Sequence, residues 1–507
     1  MSYRAVVLTL ALAVPLSGFA ATPCPELASL KLANTTITLA QIVSAGSFTP
    51  PAGARGGPQQ FAELPEFCRV QATLRPSADS DIKMELWMPA ASRWNGKFRG
   101  TGNGGLGGGA TVNAGPLATG IRLGYATAGN NTGHEGDSSY ALSQPEKIKD
   151  FGYRSAHEMT VTSKALIKAY YDKPLQYSVM AEGGGGTIAA LSSAQRYPED
   201  YDIIAVTGMS SHLSRHTAAQ MWVWYATHKD EASFIPPDKY PVLHKAALDA
   251  CDAKDGLKDG LISDPEHCKF DPGVVQCKGG VTPDCLTAAQ VEAARKIYAG
   301  PVNPRTKEEI YSPLYPGSEL GWAQLAGGAQ PLGIPVEFYK YYVFKDPNWD
   351  YKTRPVNFDS DIALADRAEI AAVNAVDPDL RKFFGRGGRL LLVGGWNDAS
   401  VPPKVAINYF KNVLSKTGSK LVQENMRFFM VPGMAHGPGT AGAENFNYNA
   451  LEVIEQWKQT GKAPEQLIFD HYKDGMQVGK RLVCQYPKVP TYKGSGNTED
   501  PASFTCK

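Results

Sequence analysis

The chain has 507 residues, with 51 Lys+Arg against 50 Asp+Glu, 43% hydrophobic residues, 51 Gly, 36 Pro and 8 Cys. That length supports two or three structural units with a full core, and a net charge of +1 offers no field for nucleic acid or anionic lipid. A charged fraction of 20% with this much Gly and Pro excludes a coiled coil or a disordered tail and points to a compact, loop-rich chain.

Met1–Arg4 is a short basic start, Ala5–Leu16 is apolar, and Gly18-Phe19-Ala20 supplies small residues for a cut after Ala20. Residues 1–20 therefore read as a secretory signal peptide, against the alternative of a buried N-terminal helix. The apolar stretch is too short to span a bilayer, and no later stretch approaches the ~18 apolar residues a span needs. Cleavage leaves 50 Lys+Arg against 50 Asp+Glu in a soluble product, secreted or periplasmic. All eight cysteines lie beyond Ala20, and an even count in an exported chain reads as disulfides. Nearness in sequence suggests Cys251–Cys268, Cys277–Cys285 and Cys484–Cys506, which leaves Cys24–Cys68; the sequence does not fix that connectivity. No Cys/His spacing suits zinc.

From about Phe98 the chain alternates strand-like and helix-like stretches. Ile121–Ala128 reads as a strand, Ser155–Tyr171 as a helix and Tyr177–Ala181 as a strand. A glycine run follows, then a helix over Ile188–Arg196 and an apolar strand over Asp202–Val206. This alternation predicts an α/β fold with a mainly parallel sheet. Residues 210–385 break the rhythm with aromatics, Pro and local Cys pairs, and read as an inserted lid between core segments 21–209 and 386–507. The sheet pattern returns at Arg389–Gly394 and Met426–Val431, before a helix around Asn449–Gln459.

Gly100-Thr-Gly-Asn-Gly-Gly105 matches a dinucleotide fingerprint, but Leu106-Gly-Gly-Gly-Ala is a poor helix start, so an anion or oxyanion pocket is the better reading. Asp252-Ala-Lys-Asp255-Gly-Leu-Lys-Asp259-Gly-Leu-Ile-Ser-Asp264 gathers carboxylates on a glycine-turned loop. Spacing alone leaves a solvated acidic turn and a calcium site equally open, and the flanking Cys251 and Cys268 favour calcium. Asp398 follows the strand Arg389–Gly394, and His436 follows Met426–Val431 on a glycine-rich loop. An acid and then a His on post-strand loops is the chain order of α/β-hydrolases. The nucleophile is missing: the elbow should carry G-x-S-x-G, yet the chain reads Glu182-Gly183-Gly184-Gly185-Gly186, and no Ser has Gly on both sides at that spacing.

With Gly102-Asn-Gly-Gly-Leu, Thr132-Gly-His134, Glu146-Lys-Ile-Lys-Asp-Phe-Gly-Tyr-Arg, Ala194-Gln-Arg-Tyr-Pro-Glu-Asp-Tyr-Asp, Gly-Trp-x-Asp398 and Val431-Pro-Gly-Met-x-His436, the chain resembles the tannase and feruloyl esterase family, which includes MHET hydrolase. The likeness covers most of the mature protein. It implies a secreted α/β-hydrolase with a large lid and a calcium loop, cleaving esters of phenolic or aromatic acids. By position Asp398 and His436 match the family acid and His. Asp252, Asp255 and Asp259, with the carbonyls of Leu257 and Leu261, match the calcium ligands, and the local cysteine pairs match family disulfides.

The family elbow reads Gly-Cys-Ser-x-Gly-Gly, its Cys bonded to a Cys just after the catalytic His. Here Glu182, Gly183 and Gly184 stand at the Gly, Cys and Ser, and Gly437 follows His436. Asn131 also replaces the Asp expected before Thr-Gly-His. Three readings remain. His436, oriented by Asp398, activates a water for direct ester hydrolysis, with backbone N–H groups near Gly104 and Gly185 as oxyanion donors and Glu182 as a second base. Alternatively the dyad takes a proton from carbon, in a lyase or isomerase. In the third reading the protein is a pseudoenzyme that binds aromatic ligands. Ser178, Thr187, Ser192 and Ser193 are off the apex and read as structural. Trp222, Trp224, Tyr225 and Phe338–Tyr342 either line an aromatic pocket or form ordinary lid core, and core is favoured for most.

Overall fold

A computed structural model describes residues 21–50, 58–102, 106, 112–367, 369–437 and 444–507. The expected signal peptide, residues 1–20, and the expected oxyanion residue Gly104 lie outside the described residues.

Nine strands form the main sheet: β1 Thr35–Val43, β2 Phe67–Leu74, β3 Ile82–Pro89, β4 Lys97–Gly100, β5 Ala126–Asn130, β6 Tyr177–Gly183, β7 Ile203–Thr207, β8 Arg389–Gly395 and β9 Met426–Val431. Their order is β1-β2-β3-β5-β4-β6-β7-β8-β9. The first pairings, through β3 and β5, are antiparallel, and every pairing from β5 to β9 is parallel. This order, with β4 and β5 exchanged in space, makes the chain an α/β-hydrolase fold.

The parallel strands β6–β9 are largely apolar on both faces because both faces are covered. On one face Met180, Ile204, Val206, Leu390, Leu392, Phe428 and Met430 pack under the helices Ser155–Tyr171, Thr187–Arg196 and Lys404–Thr417. Their neighbours Val179, Ile203, Ala205, Leu391, Val393, Phe429 and Val431 join Leu451, Ile454 and Trp457 of the helix Ala450–Thr460. The period of two thus divides each strand between two cores.

One expected strand is corrected. Ile121 and Arg122 end a helix, Ala114–Arg122, and β5 starts only at Ala126. Gly124, at φ +80°, turns the chain between them, a conformation glycine adopts without steric cost.

The long connection from β7 to β8 contributes no strand to the sheet. It folds as helices and short turns around Tyr240, Leu243, Leu286, Val291, Trp322 and their neighbours. Its Phe338, Tyr339 and Tyr342 are buried in the main core instead. Four disulfides join Cys24 to Cys68, Cys251 to Cys268, Cys277 to Cys285 and Cys484 to Cys506. A three-stranded antiparallel sheet, Glu444–Asn447, Gln466–Lys473 and Met476–Cys484, closes the C-terminal side. No helix among the described residues is long and apolar enough to cross a membrane.

Candidate active site

The site forms where β6, β7, β8 and β9 end, on the side of the sheet where parallel strands place their functional loops. β6 runs out through Glu182 and Gly183 into a tight turn, Gly184–Gly186, and then the helix Thr187–Arg196. Gly184 is left-handed, at φ +55°. Thr187 holds the turn from inside. Its hydroxyl donates to the Gly184 carbonyl at 2.6 Å and accepts the Ser210 N–H at 2.9 Å, tying the elbow to the loop after β7. A β-carbon placed on Gly184 would lie 2.9 Å from His436 Nε2. The apex therefore points at the imidazole, and glycine leaves the space between them open.

Asp398 and His436 come together as the chain order predicts. Asp398 is 2% exposed; its Oδ2 accepts from His436 Nδ1 at 2.8 Å and its Oδ1 from the Val401 N–H at 2.8 Å. With the proton on Nδ1, Nε2 presents its lone pair toward Gly184. The Asp398 charge holds the His436 pKa above the usual histidine value, against the opposing effect of burial. The two loops are tied by their backbones: Trp396 N–H donates to the Val431 carbonyl and Asn397 N–H to that of Met434. Two glycines allow the close approach. A β-carbon on Gly395 would sit 2.2 Å from the Ala435 and Met434 carbonyl oxygens, and one on Gly208 2.2 Å from that of His436.

Sequence reasoning missed His216. It is buried beside the dyad, with Nε2 donating to the Ser400 carbonyl at 2.7 Å and Nδ1 accepting from the Ser210 hydroxyl at 3.1 Å. Burial pushes its pKa down to about 4, so it is a neutral strut between the insertion and the Asp398 loop. No local motif marked it; only the fold brings Ser210, His216 and Ser400 together.

Glu182 is half-buried on the other side of the turn. A β-carbon on Gly186 would lie 2.5 Å from its Oε2, and one on Gly102 3.3 Å from the same atom. The carboxyl takes this position against Gly186, where a side chain would displace it. Burial pushes its pKa up to about 7, opposed by the Arg99 charge and the Gly102 N–H. Arg99 is itself buried, and its Nε has no hydrogen-bond partner among the described residues. The other hydroxyls near the elbow are committed elsewhere. Ser178 donates to the Asp200 carbonyl, Ser192 to that of Gly152 and Ser193 to that of Ala189. Gly185 lies at the start of the helix, where N–H groups have no intrahelical partner.

A cavity of about 470 Å³ opens beside the dyad. Asn397, Ser400, Ala435 and His436 form its core side, and His244, Leu248, Ser318 and Gln324 of the insertion form the opposite wall. None of the aromatics expected for a lid pocket borders it. Trp222 donates its indole N–H to the Lys296 carbonyl, Trp224 stacks on His228, and Phe338, Tyr339 and Tyr342 are buried in the core.

The acidic loop reaches this cavity, although its sequence position suggested a place remote from the dyad. Gly260 and Leu261 border it, and Leu261 packs so close to Gly433 that a β-carbon there would lie 2.5 Å from Leu261 Cδ2. Within the loop, Asp252 accepts the Asp259 and Gly260 N–H groups, and Asp255 accepts the Leu257 N–H and the Ser263 hydroxyl. Asp259 accepts the Leu261 N–H and Arg481. Burial, with repulsion from neighbouring carboxylates, pushes the Asp255 and Asp259 pKa values up. Among the described residues no three His, Cys, Asp or Glu side chains are gathered closely enough to hold a metal ion as they stand. A cavity of about 20 Å³ lies among Asp255, Asp259 and Ser263, and it is lined also by Arg481, whose guanidinium pairs with Asp259 at 2.8 Å.

Comparison with known proteins bears on these features. A family model described as tannase and feruloyl esterase matches residues 68–507. An uncharacterized esterase of Xanthomonas campestris pv. campestris is 34% identical over 535 residues, covering 96% of this chain and 91% of that protein. Feruloyl esterase B of Aspergillus niger is 30% identical over 524 residues, covering 98% of this chain and 99% of that protein. The crystal structure of feruloyl esterase B from Aspergillus oryzae is similar with a TM-score of 0.83 at 28% identity, over 95% of this chain and 98% of that one.

The Glu182 environment predicts a pH signature. A carboxyl whose folded pKa is raised from 4.5 to about 7 favours folding below its unfolded value and loses that contribution as pH rises through 7. Glu182→Gln should therefore gain stability over the wild type at pH 8 relative to pH 4, by up to about 3 kcal/mol at 1.36 kcal/mol per pKa unit. Urea unfolding midpoints at the two pH values measure it; parallel profiles for the two proteins would contradict it.

Proposed function

The chain belongs to the tannase and feruloyl esterase family, and from that premise we propose that it hydrolyses carboxylic esters of phenolic acids with an Asp398–His436 dyad and a water in place of a serine. One observation carries the reading: His436 Nε2, oriented by a fully engaged Asp398, faces the open apex at Gly184. In this reading Gly184 stands where the family places its nucleophile, and the volume a serine side chain would fill holds the attacking water.

The steps then balance without a covalent intermediate. A water between Gly184 and His436 attacks the ester carbonyl carbon and gives its proton to Nε2. Asp398 stabilises the imidazolium that forms, which the raised pKa of His436 already favours. The carbonyl oxygen, now negative, is met by the backbone N–H of Gly185. The carbon–oxygen bond to the alcohol breaks as Nε2–H protonates the leaving oxygen, releasing acid and alcohol. General-base assistance of this kind contributes about 10²–10⁴-fold, and one oxyanion donor about 10²–10³-fold. A slow but real hydrolase is therefore compatible with the missing serine. Glu182 serves in this reading as a reserve base behind the elbow, where its pKa of about 7 suits proton transfer near neutrality. Four disulfides fit an exported protein, released after cleavage at Ala20.

The test is turnover of methyl ferulate and methyl gallate by the purified protein. The expected result is measurable hydrolysis that His436→Ala lowers at least about 100-fold, the lower end of general-base assistance. Hydrolysis equal in wild type and variant, or none in either, would overturn the reading and leave ligand binding or proton abstraction from carbon.

The same reading assigns Ca²⁺ to the acidic loop, held by Asp252, Asp255 and Asp259 with the carbonyls of Leu257 and Leu261. A bound cation would offset the mutual repulsion of these carboxylates and fix the loop that walls the cavity. Chelation is expected to lower Tm while kcat of the still-folded protein is retained. Thermal unfolding and activity measured side by side check this; lost turnover at unchanged Tm would contradict it.

A further inference from the structure

A cavity wall selects ligands through the few polar atoms that reach it without a protein partner. His244, on the helix Tyr240–Cys251 of the insertion, borders the 470 Å³ cavity that His436 borders. Its Nδ1 lies 2.9 Å from Glu319 Oε2. Glu319 is 0% exposed, and it also accepts from the Tyr298 hydroxyl at 2.6 Å and from the Gly317 N–H at 2.8 and 3.1 Å. A carboxylate so supplied with donors fixes the proton of His244 on Nδ1 and orients the ring. Nε2 is then a lone-pair acceptor, with no hydrogen bond to the described residues.

This carboxylate–imidazole pair on the cavity wall has no part in the hydrolytic steps. Its construction is costly for a residue with no task, because a buried carboxylate needs its full set of donors. Around it the cavity is lined by the apolar Leu248, Leu261 and Ala399, a setting that takes an aromatic ring, and His244 Nε2 joins Asn397 Oδ1, which has no partner among the described residues, as an acceptor open to a hydroxyl.

We propose that His244 is a specificity-determining residue: its Nε2 accepts a hydrogen bond from a hydroxyl on the aromatic ring of the acyl group, and Glu319 is the positioning residue that holds it. The inference rests on the ester-hydrolase reading and narrows it, since the site then selects free phenols over their methyl ethers and unsubstituted rings. A site that hydrogen-bonds a hydroxyl discriminates against analogues lacking it far more strongly than an apolar slot discriminates by size.

Three methyl esters test it: 4-hydroxycinnamate, 4-methoxycinnamate and cinnamate. The wild type should favour the phenol over both others in kcat/KM by roughly tenfold or more. His244→Ala should erase that preference by raising KM for the phenol far more than for methyl cinnamate. His244→Gln, which keeps an acceptor, should retain part of it, and Glu319→Gln should weaken it. An equal loss on all three esters would show a structural role and overturn the proposal. So would an undiminished preference in His244→Ala, which would place the recognition elsewhere. Binding separates this from failure of the hydrolytic reading. Calorimetry with the free acids, 4-hydroxycinnamate against cinnamate, should show the same His244-dependent preference even if no ester is turned over. Equal affinities in the wild type would overturn the proposal whatever the turnover.

Discussion

A carboxylate taken out of water is tolerable only when its oxygens are supplied with donors, and Asp398 meets that condition with one backbone N–H and one imidazole. The ends of β8 and β9 are arranged around this requirement. The Asp398 loop donates two backbone N–H groups to the chain leading to His436, and Gly395 and Gly208 admit the His loop to distances a side chain would forbid. Losing the hydrogen bond would leave a buried charge without its partner, so the dyad and the junction of the two loops stand together. Retention of such a pair without a serine is the central physical fact of the site. Nothing in the packing requires an imidazole whose Nε2 faces open space.

The glycine run at the elbow changes two things at once. At Gly184 it leaves no side chain at the apex, and at Gly186, with Gly102, it leaves room for the Glu182 carboxyl as it lies. Glu182 and its glycine neighbours therefore form one coupled feature. Burial raises the pKa of its carboxyl and the buried Arg99 lowers it. The insertion contributes differently, through walls: His244 and Gln324 face His436 across the cavity, while Leu261 of the acidic loop packs against Gly433.

Much of this was legible in the sequence because the relevant signals are local. Apolar runs such as Arg389–Gly394 and Met426–Val431 mark fully buried parallel strands, and polar residues directly after them mark the loops at strand ends. The lack of a G-x-S-x-G motif was equally plain, since that motif is contiguous. What failed was long-range. The antiparallel strands β1–β3 and the C-terminal sheet carry mixed patterns that gave no clear period. The strand expected from Ile121 began as the end of a helix, because the chain reverses only at Gly124. His216 and His244 were not singled out, because their partners Ser400 and Glu319 lie far along the chain. The aromatics around Trp224 and Phe338, for most of which core was favoured over a pocket, are buried in the core, where large rings bury the most area.

The account rests on hydrolysis without an acylated residue, and the protein's own mass during turnover tests that most directly. Samples quenched in acid during steady-state hydrolysis of methyl ferulate should give the intact mass of the unmodified chain alone. An increase equal to one feruloyl group, on any residue, would show a covalent nucleophile and contradict the water mechanism.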